Sequence, residues 1–144
     1  MSTKLEVANR LMKFGVKPSL QRIAIMEYLM EHLTHPTADT IFNDLYSSIP
    51  TLSKTTVYNT LKLLEEQGAI QAIVIDEKNV RYDSDISPHA HFKCKKCGLV
   101  NDFPIKNVYI YDSINSDDFI VTDCQVYYKG YCKKCNDDVN YSVN

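Results

Sequence analysis

The sequence lacks any apolar run long enough to cross a bilayer. Runs such as Ala72-Ile73-Val74-Ile75 fall far short of the ~20 residues a spanning helix needs. Near the start, Lys4, Glu6 and Arg10 interrupt the apolar residues, and there is no apolar block of the signal-peptide kind. There is no internal repeat and no low-complexity segment. Charge excess is missing too: 16 Lys and Arg stand against 18 Asp and Glu, a net charge of −2 over 144 residues. That balance argues against charge-driven coating of nucleic acid but leaves room for a small local DNA-binding surface. With 44% hydrophobic residues, the expectation is a soluble, cytoplasmic, globular chain with no membrane partner, organised as one medium domain or two small ones.

The near-zero charge conceals a strong pattern. Residues 1–26 carry Lys4, Arg10, Lys13, Lys17 and Arg22 against Glu6 alone, net +4. Residues 27–53 carry Glu27, Glu31, Asp39 and Asp44 and no Lys or Arg, net −4. A basic patch can position phosphates beside a recognition element.

Hydrophobic spacing predicts four helices before residue 70. Leu5, Ala8, Leu11 and Met12 predict the first, ended by Gly15. Ile25, Leu29 and Leu33, widened by Met26 and Met30, predict a second from about Ser19 to Leu33. Ala38, Ile41 and Leu45 predict a third from near Thr37, stopped by Pro50. The fourth runs from Ser53, a good N-cap, to Gly68, a natural C′ residue. On it, Val57, Leu61 and Leu64 share one side, while Lys54, Thr55, Tyr58, Asn59 and Lys62 fall on another. Two strand-like runs, Ile70 to Ile75 and Val80 to Tyr82, flank a turn at Asp76-Glu77-Lys78-Asn79. Helices, then a polar-faced helix, then a hairpin is the order of a winged helix-turn-helix, whose last helix enters the major groove. The candidate DNA contacts are Lys54, Thr55, Tyr58, Asn59 and Lys62, with Lys17 from the basic segment. Asn59 suits a base edge, and the lysines suit phosphate or guanine.

After the polar, proline-ended stretch up to Pro88 the pattern changes. Strands are expected at 89–94 and 99–105, a short helix near 106–115, and a long strand at 118–131. A domain that small usually needs a metal, disulfides or a partner chain. The predicted class is α+β: a winged helix-turn-helix domain at 1–83, a hinge at 84–88, and a small α/β domain at 89–144.

All five cysteines lie in that second segment, from residue 94 onward. Cys94-Lys95-Lys96-Cys97 and Cys132-Lys133-Lys134-Cys135 are two C-x2-C pairs with 34 residues between them. In a reducing compartment such a set points to metal or redox chemistry. Four thiolates form the closed set of a structural zinc site, whose −2 charge the four lysines can offset. Two redox dithiols or an iron–sulfur centre are the alternatives, and the thioredoxin-like version lacks its βαβ context. In the long strand, Ile120, Thr122, Cys124, Val126 and Tyr128 share a face. Cys124 is therefore expected to be a small core residue.

His89 and His91, two apart on a strand, project from one side, and Cys94 has the opposite parity. Asp83, Asp102 and His35 supply further N and O donors. Such a set suits Fe(II), Mn(II) or Zn(II) more than Cu(I). Spacing alone does not bring the five together.

Across nearly its whole length the chain resembles the ferric uptake regulator (Fur) family, most closely its peroxide-sensing, PerR-type branch. The resemblance rests on His35-Pro36-Thr37-Ala38, Thr56-Val57-Tyr58-Asn59-Thr60-Leu61, Arg81-Tyr82-Asp83, His89-Ala90-His91-Phe92 and both C-x2-C pairs. It implies a homodimeric repressor that binds palindromic operator DNA, with a C-terminal dimerisation domain. It implies structural zinc on Cys94, Cys97, Cys132 and Cys135, and a regulatory Fe(II) or Mn(II) on His35, Asp83, His89, His91 and Asp102. Asp at 83 and 102, where iron-uptake regulators commonly have Glu, favours the peroxide-sensing branch. There the resemblance implies iron-catalysed oxidation of a ligating histidine, His35 or His89. The departures are Ser87-Pro88 and Asp123-Cys124, where relatives build a further metal site; no third site is expected. Lys17-Pro18-Ser19-Leu20-Gln21-Arg22 also departs from the usual threonine-proline.

An enzyme would need a general base and a substrate pocket beside an open coordination position. No further titratable cluster supplies them, so no small-molecule substrate other than peroxide is expected. Metal-responsive repression without peroxide chemistry and a zinc-stabilised interaction module are the rival readings.

Overall fold

The computed structural model describes residues 3–74, 79–87, 89–105, 117–120 and 124–136. They form two compact units, dividing between Ile86 and Ser87.

The first unit holds α1 (Lys4–Lys13), α2 (Leu20–Glu31), α3 (Ala38–Tyr46), α4 (Lys54–Glu66), β1 (Gln71–Ile73) and β2 (Arg81–Asp83). Each helix begins where a side chain satisfies its orphan backbone donors. Thr3 and Glu6 form a capping box on α1. Ser19, Thr37 and Ser53 accept from the amides of Arg22, Thr40 and Thr56 at the starts of α2, α3 and α4. Helices α1 and α4 end alike. Gly15 and Gly68 take φ of +77° and +79°, a region that costs glycine nothing. Val16 N–H then donates to Leu11 O and Ala69 N–H to Leu64 O, both at 2.9 Å. The next hydrophobic residue is thereby folded back onto the helix it has just left, a Schellman ending. Val16 and Ala69 are both buried in the core.

That core packs Val7 and Leu11 of α1, Ile25, Met26 and Leu29 of α2, Ile41 of α3 and the Val57, Leu61 and Leu64 stripe of α4. Fully burying each large side chain is worth about 1.5–3 kcal/mol. The expected α1 stripe is rotated. Leu5 and Met12 are 70% and 54% exposed, because they lie seven residues apart on the face turned away from Val7 and Leu11. Helix α2 stops two residues before Leu33. His32 caps it, and Leu33 is 64% exposed rather than part of the stripe. Strands β1 and β2 pair antiparallel with Ala72 opposite Tyr82. Strand β1 is shorter than the expected run, and β2 is shifted one residue on from Val80–Tyr82. Of these runs and the turn between them, Ile75, Asp76, Glu77 and Lys78 lie outside the described residues.

The second unit holds β3 (His89–Cys94), β4 (Val100–Pro104), β5 (Val126–Gly130) and a one-turn helix, α5 (Lys133–Asn136). Strand β3 is central, antiparallel to β4 and parallel to β5. The expected helix near 106–115 and the stretch at 121–123 lie outside the described residues. Among the described residues of the expected long strand, 126–130 form β5. Cys124 precedes β5 and is half-buried, while Ile120 and Tyr128 are 88% and 57% exposed. The reading of Cys124 as a core residue therefore does not hold. Among the described residues, Cys124 stands ahead of β5 and outside any strand.

Candidate metal centres and nucleic-acid interface

Parallel pairing builds the cysteine cluster. Cys94 ends β3 opposite Gly130 of β5, so Cys132, two residues on, arrives beside it. Lys95 N–H donates to Gly130 O at 2.7 Å, and Gly98 N–H closes the knuckle onto Cys94 O at 3.0 Å. Helix α5 returns Cys135 to the same point. One Sγ from each of Cys94, Cys97, Cys132 and Cys135 lies within 4.8 Å of the others. A tetrahedron with zinc–sulfur bonds of about 2.3 Å has sulfur–sulfur edges of about 3.8 Å. The Cys97 and Cys132 sulfurs are 3.8 Å apart, so the four residues fit that ion. The Cys132 and Cys97 amides hydrogen-bond the Cys94 sulfur and draw its pKa down to about 6. Burial, with three neighbouring sulfurs, pushes Cys135 up to about 12.

The His and Asp donors fall into two groups, one in each unit. In the second, His91 pairs directly with Asp102 across β3 and β4. Its Nδ1 stands 2.8 Å from Asp102 Oδ1, and His89 Nε2 stands 3.7 Å from Asp102 Oδ2. Period-two alternation puts both imidazoles on one face, with ring centroids 4.4 Å apart. His89 Nδ1 lies 2.6 Å from Ser87 O. That carbonyl selects the Nδ1–H tautomer and leaves the Nε2 lone pair for a metal. Both histidines are buried.

In the first unit, His35 follows α2 and precedes Pro36. Its φ of +58° lies in the left-handed region, which costs a non-glycine residue about 1–3 kcal/mol, and proline further restricts the residue before it. The surroundings impose the conformation. Arg81 Nη1 donates to His35 O at 3.2 Å, and Tyr82 N–H donates to Pro36 O at 3.0 Å. The result puts His35 Nε2 3.4 Å from Asp83 Oδ2, both groups buried. The other oxygen, Oδ1, accepts from Asp85 N–H at 2.9 Å. Asp83 is thus the last residue of the wing strand β2. Sequence reasoning gave Arg81 no role, although it stands two residues before Asp83 in a recognised motif.

On α4, Lys54, Thr55, Tyr58, Asn59 and Lys62 are all exposed, opposite the buried stripe. Lys54 Nζ and Tyr58 OH reach Asp39 Oδ1 on α3 at 4.0 and 3.4 Å, and Lys54 also lies over the Phe42 ring. Lys17, Ser19, Gln21, Arg22, Thr56 and Asn59 line a cavity of about 460 Å³ between the start of α2 and α4. Arg22 Nη1 donates to Lys17 O at 2.9 Å. Gln21 and Arg22, which sequence reasoning did not single out, stand just inside the Ser19 cap of α2.

The ferric uptake regulator family model matches residues 13–129. The chain is 33% identical to the peroxide-responsive repressor PerR of Staphylococcus epidermidis over 132 residues, covering 90% of this chain and 88% of that protein. It is similar to the solved structure of PerR from Streptococcus pyogenes, at 28% identity over 94% of each chain and a TM-score of 0.51. The manganese-containing ferric uptake regulator of Pseudomonas aeruginosa, at 22% identity, shares its fold with a TM-score of 0.71 over 87% of this chain and 96% of that one. No described helix is long and apolar enough to cross a membrane. With a family model spanning most of its length and a relative one-third identical over nearly all of it, the chain belongs to the ferric uptake regulator family.

Proposed function

We propose that the protein is a metal-responsive, homodimeric transcriptional repressor of palindromic operator DNA, and that it senses hydrogen peroxide through oxidation of His35 or His89. The observation that carries this reading is that His and Asp donors stand in both compact units: His35 with Asp83, and His89 and His91 with Asp102. A donor set drawn from two units and completed by one ion fixes their orientation. In a dimer that sets the spacing of two α4 helices against two operator half-sites. Structural zinc would be held by Cys94, Cys97, Cys132 and Cys135, and regulatory Fe(II) or Mn(II) by the five His and Asp residues. Nitrogen and carboxylate donors suit those ions.

Residues 1–83 are the DNA-binding domain in this reading, 84–88 the hinge, and 89–144 the dimerisation domain. Asn59 reads a base edge, and Lys17, Lys54 and Lys62 meet phosphate or guanine, with Thr55 and Tyr58 beside them. Iron(II), when bound, supplies the redox chemistry that makes peroxide react with a neighbouring imidazole. The imidazole carbon exchanges C–H for C–OH, and peroxide leaves as water. An oxidised His35 no longer holds its place beside Asp83, and the two units are released from one orientation.

The test is a gel shift on palindromic DNA with Fe(II) or Mn(II), before and after peroxide. Binding is expected only with metal, and release only for the iron form, with one added oxygen on a peptide holding His35 or His89. Release with unmodified histidines overturns the peroxide mechanism. Equal DNA binding with and without metal overturns its metal-responsiveness, and no binding under either condition overturns the repressor reading. Similarity to a peroxide-responsive repressor favours peroxide sensing over metal-responsive repression alone.

A further inference from the structure

Arg10 is a half-buried cation in the last turn of α1. Its Nη2 donates to two carbonyls far apart in sequence: Ala69 O at 3.2 Å and Ser84 O at 2.6 Å. Ala69 is the residue on which the Schellman ending of α4 closes. Ser84 follows Asp83 directly, is itself buried, and donates from Oγ to Leu29 O of α2 at 3.0 Å. On the other side of Asp83, β2 is held by β1, with Gln71 opposite Asp83. The Asp83 carboxylate is oriented by the next turn of chain, through Asp85 N–H on Oδ1, which leaves Oδ2 toward His35.

We infer that Arg10 is a positioning residue for Asp83, tying the metal-binding carboxylate to the exit of the recognition helix. The inference rests on the reading of Asp83 as a metal ligand. One guanidinium nitrogen fixes Ser84 O with a charge-assisted bond, and through it the turn that aims Asp83. The same nitrogen holds Ala69 O, so the backbone that carries Asp83 and the backbone that ends α4 share one anchor. Metal capture at Asp83 and the placement of α4 within the winged helix are therefore mechanically linked. Without Arg10, Ser84 O loses that charge-assisted donor. The 83–85 turn then samples other orientations, and each Mn(II) ion bound must first restore the right one.

The experiment uses full-length, zinc-loaded protein titrated with Mn(II), comparing the parent with Arg10→Met, Arg10→Lys and Asp83→Ala. Amide exchange is followed in peptides covering 81–86 and 25–29. For Arg10→Met the expected result is about tenfold weaker Mn(II) binding. Faster exchange is expected at 81–86 and unchanged exchange at 25–29. Arg10→Lys, a cation with a single point donor, should recover part of the affinity. If Arg10→Met binds Mn(II) like the parent while Asp83→Ala does not, the role given to Arg10 is wrong. If Asp83→Ala also binds like the parent, it is the metal reading of Asp83 that falls. Faster exchange at 25–29 as well marks a general structural role and overturns the inference. Should Arg10→Met fail to fold, Arg10→Lys decides alone. Weaker Mn(II) binding at unchanged melting temperature supports the positioning role, and unchanged binding refutes it.

Discussion

The two units hold themselves together by different means. In the winged-helix unit, sixteen buried side chains form one apolar cluster contributed by all four helices and the wing. Among the described residues of the second unit, the buried apolar side chains are Ala90, Cys94 and Cys135, and two of those are zinc-site cysteines. One unit is stabilised by area removed from water, the other by a metal clasp at the end of a three-stranded sheet. The contrast follows from size. A unit of under 60 residues encloses little apolar surface to offset its chain entropy, and a metal or a partner chain commonly supplies the difference. The first unit can therefore keep its fold while its partner's ligands change.

The largest effect that could break this contrast is removal of zinc. Structural zinc in small domains binds with about 10–16 kcal/mol. Chelation, or Cys132→Ser, is therefore expected to abolish the ordered structure of the second unit while the first melts as before. Calorimetry should show one of two transitions vanish; loss of both would mean that the units are not separately stabilised. Next in size is Leu61→Ala, which opens a cavity in the apolar cluster and should cost about 2–5 kcal/mol. It should lower only the winged-helix transition and leave the zinc content unchanged.

A smaller effect separates recognition from stability. Asn59 is exposed on the polar face of α4, so Asn59→Ala should move neither transition yet weaken operator binding by about 1–3 kcal/mol, read by gel shift. The smallest effect appears only in alkali. Burial first, then the hydrogen bond to and charge of Asp44, raises the Tyr28 pKa from 10.0 to about 12. Between those values the unfolded chain has released the phenolic proton and the folded one has not. Stability of the winged helix should accordingly fall as pH rises from about 10 to 12. Tyr28→Phe should remove its share of that slope and cost about 1 kcal/mol at neutral pH, as denaturant titrations at several pH values would reveal.

Much of the winged helix is legible from local signals. The caps at Ser19, Thr37 and Ser53 and the glycines at 15 and 68 act within a few residues, so spacing and residue type are enough to place them. The α4 stripe is legible for the same reason. What spacing could not provide is which face of α1 meets the core. Leu5 with Met12 and Val7 with Leu11 are both acceptable helical pairs, and only the packing of α2 and α4 chooses between them. Cys124 is the mirror case. A plausible apolar alternation predicted a buried strand residue, but Cys124 stands before β5 and is half-buried.

The amino-acid sequence by itself determined the chemistry of this protein: which residues can bind zinc, which can bind iron or manganese, and which helix presents a polar face. Those are properties of residue type and short spacing. Only the tertiary structure decided the geometry. Parallel pairing of β3 with β5 carries Cys132 across 34 intervening residues to Cys97. A left-handed His35, held open by Arg81, meets Asp83 from 48 residues away. And Arg10 links α1 to residues 69 and 84. Long-range contacts of this kind depend on which surfaces exclude water together, and no local rule encodes that.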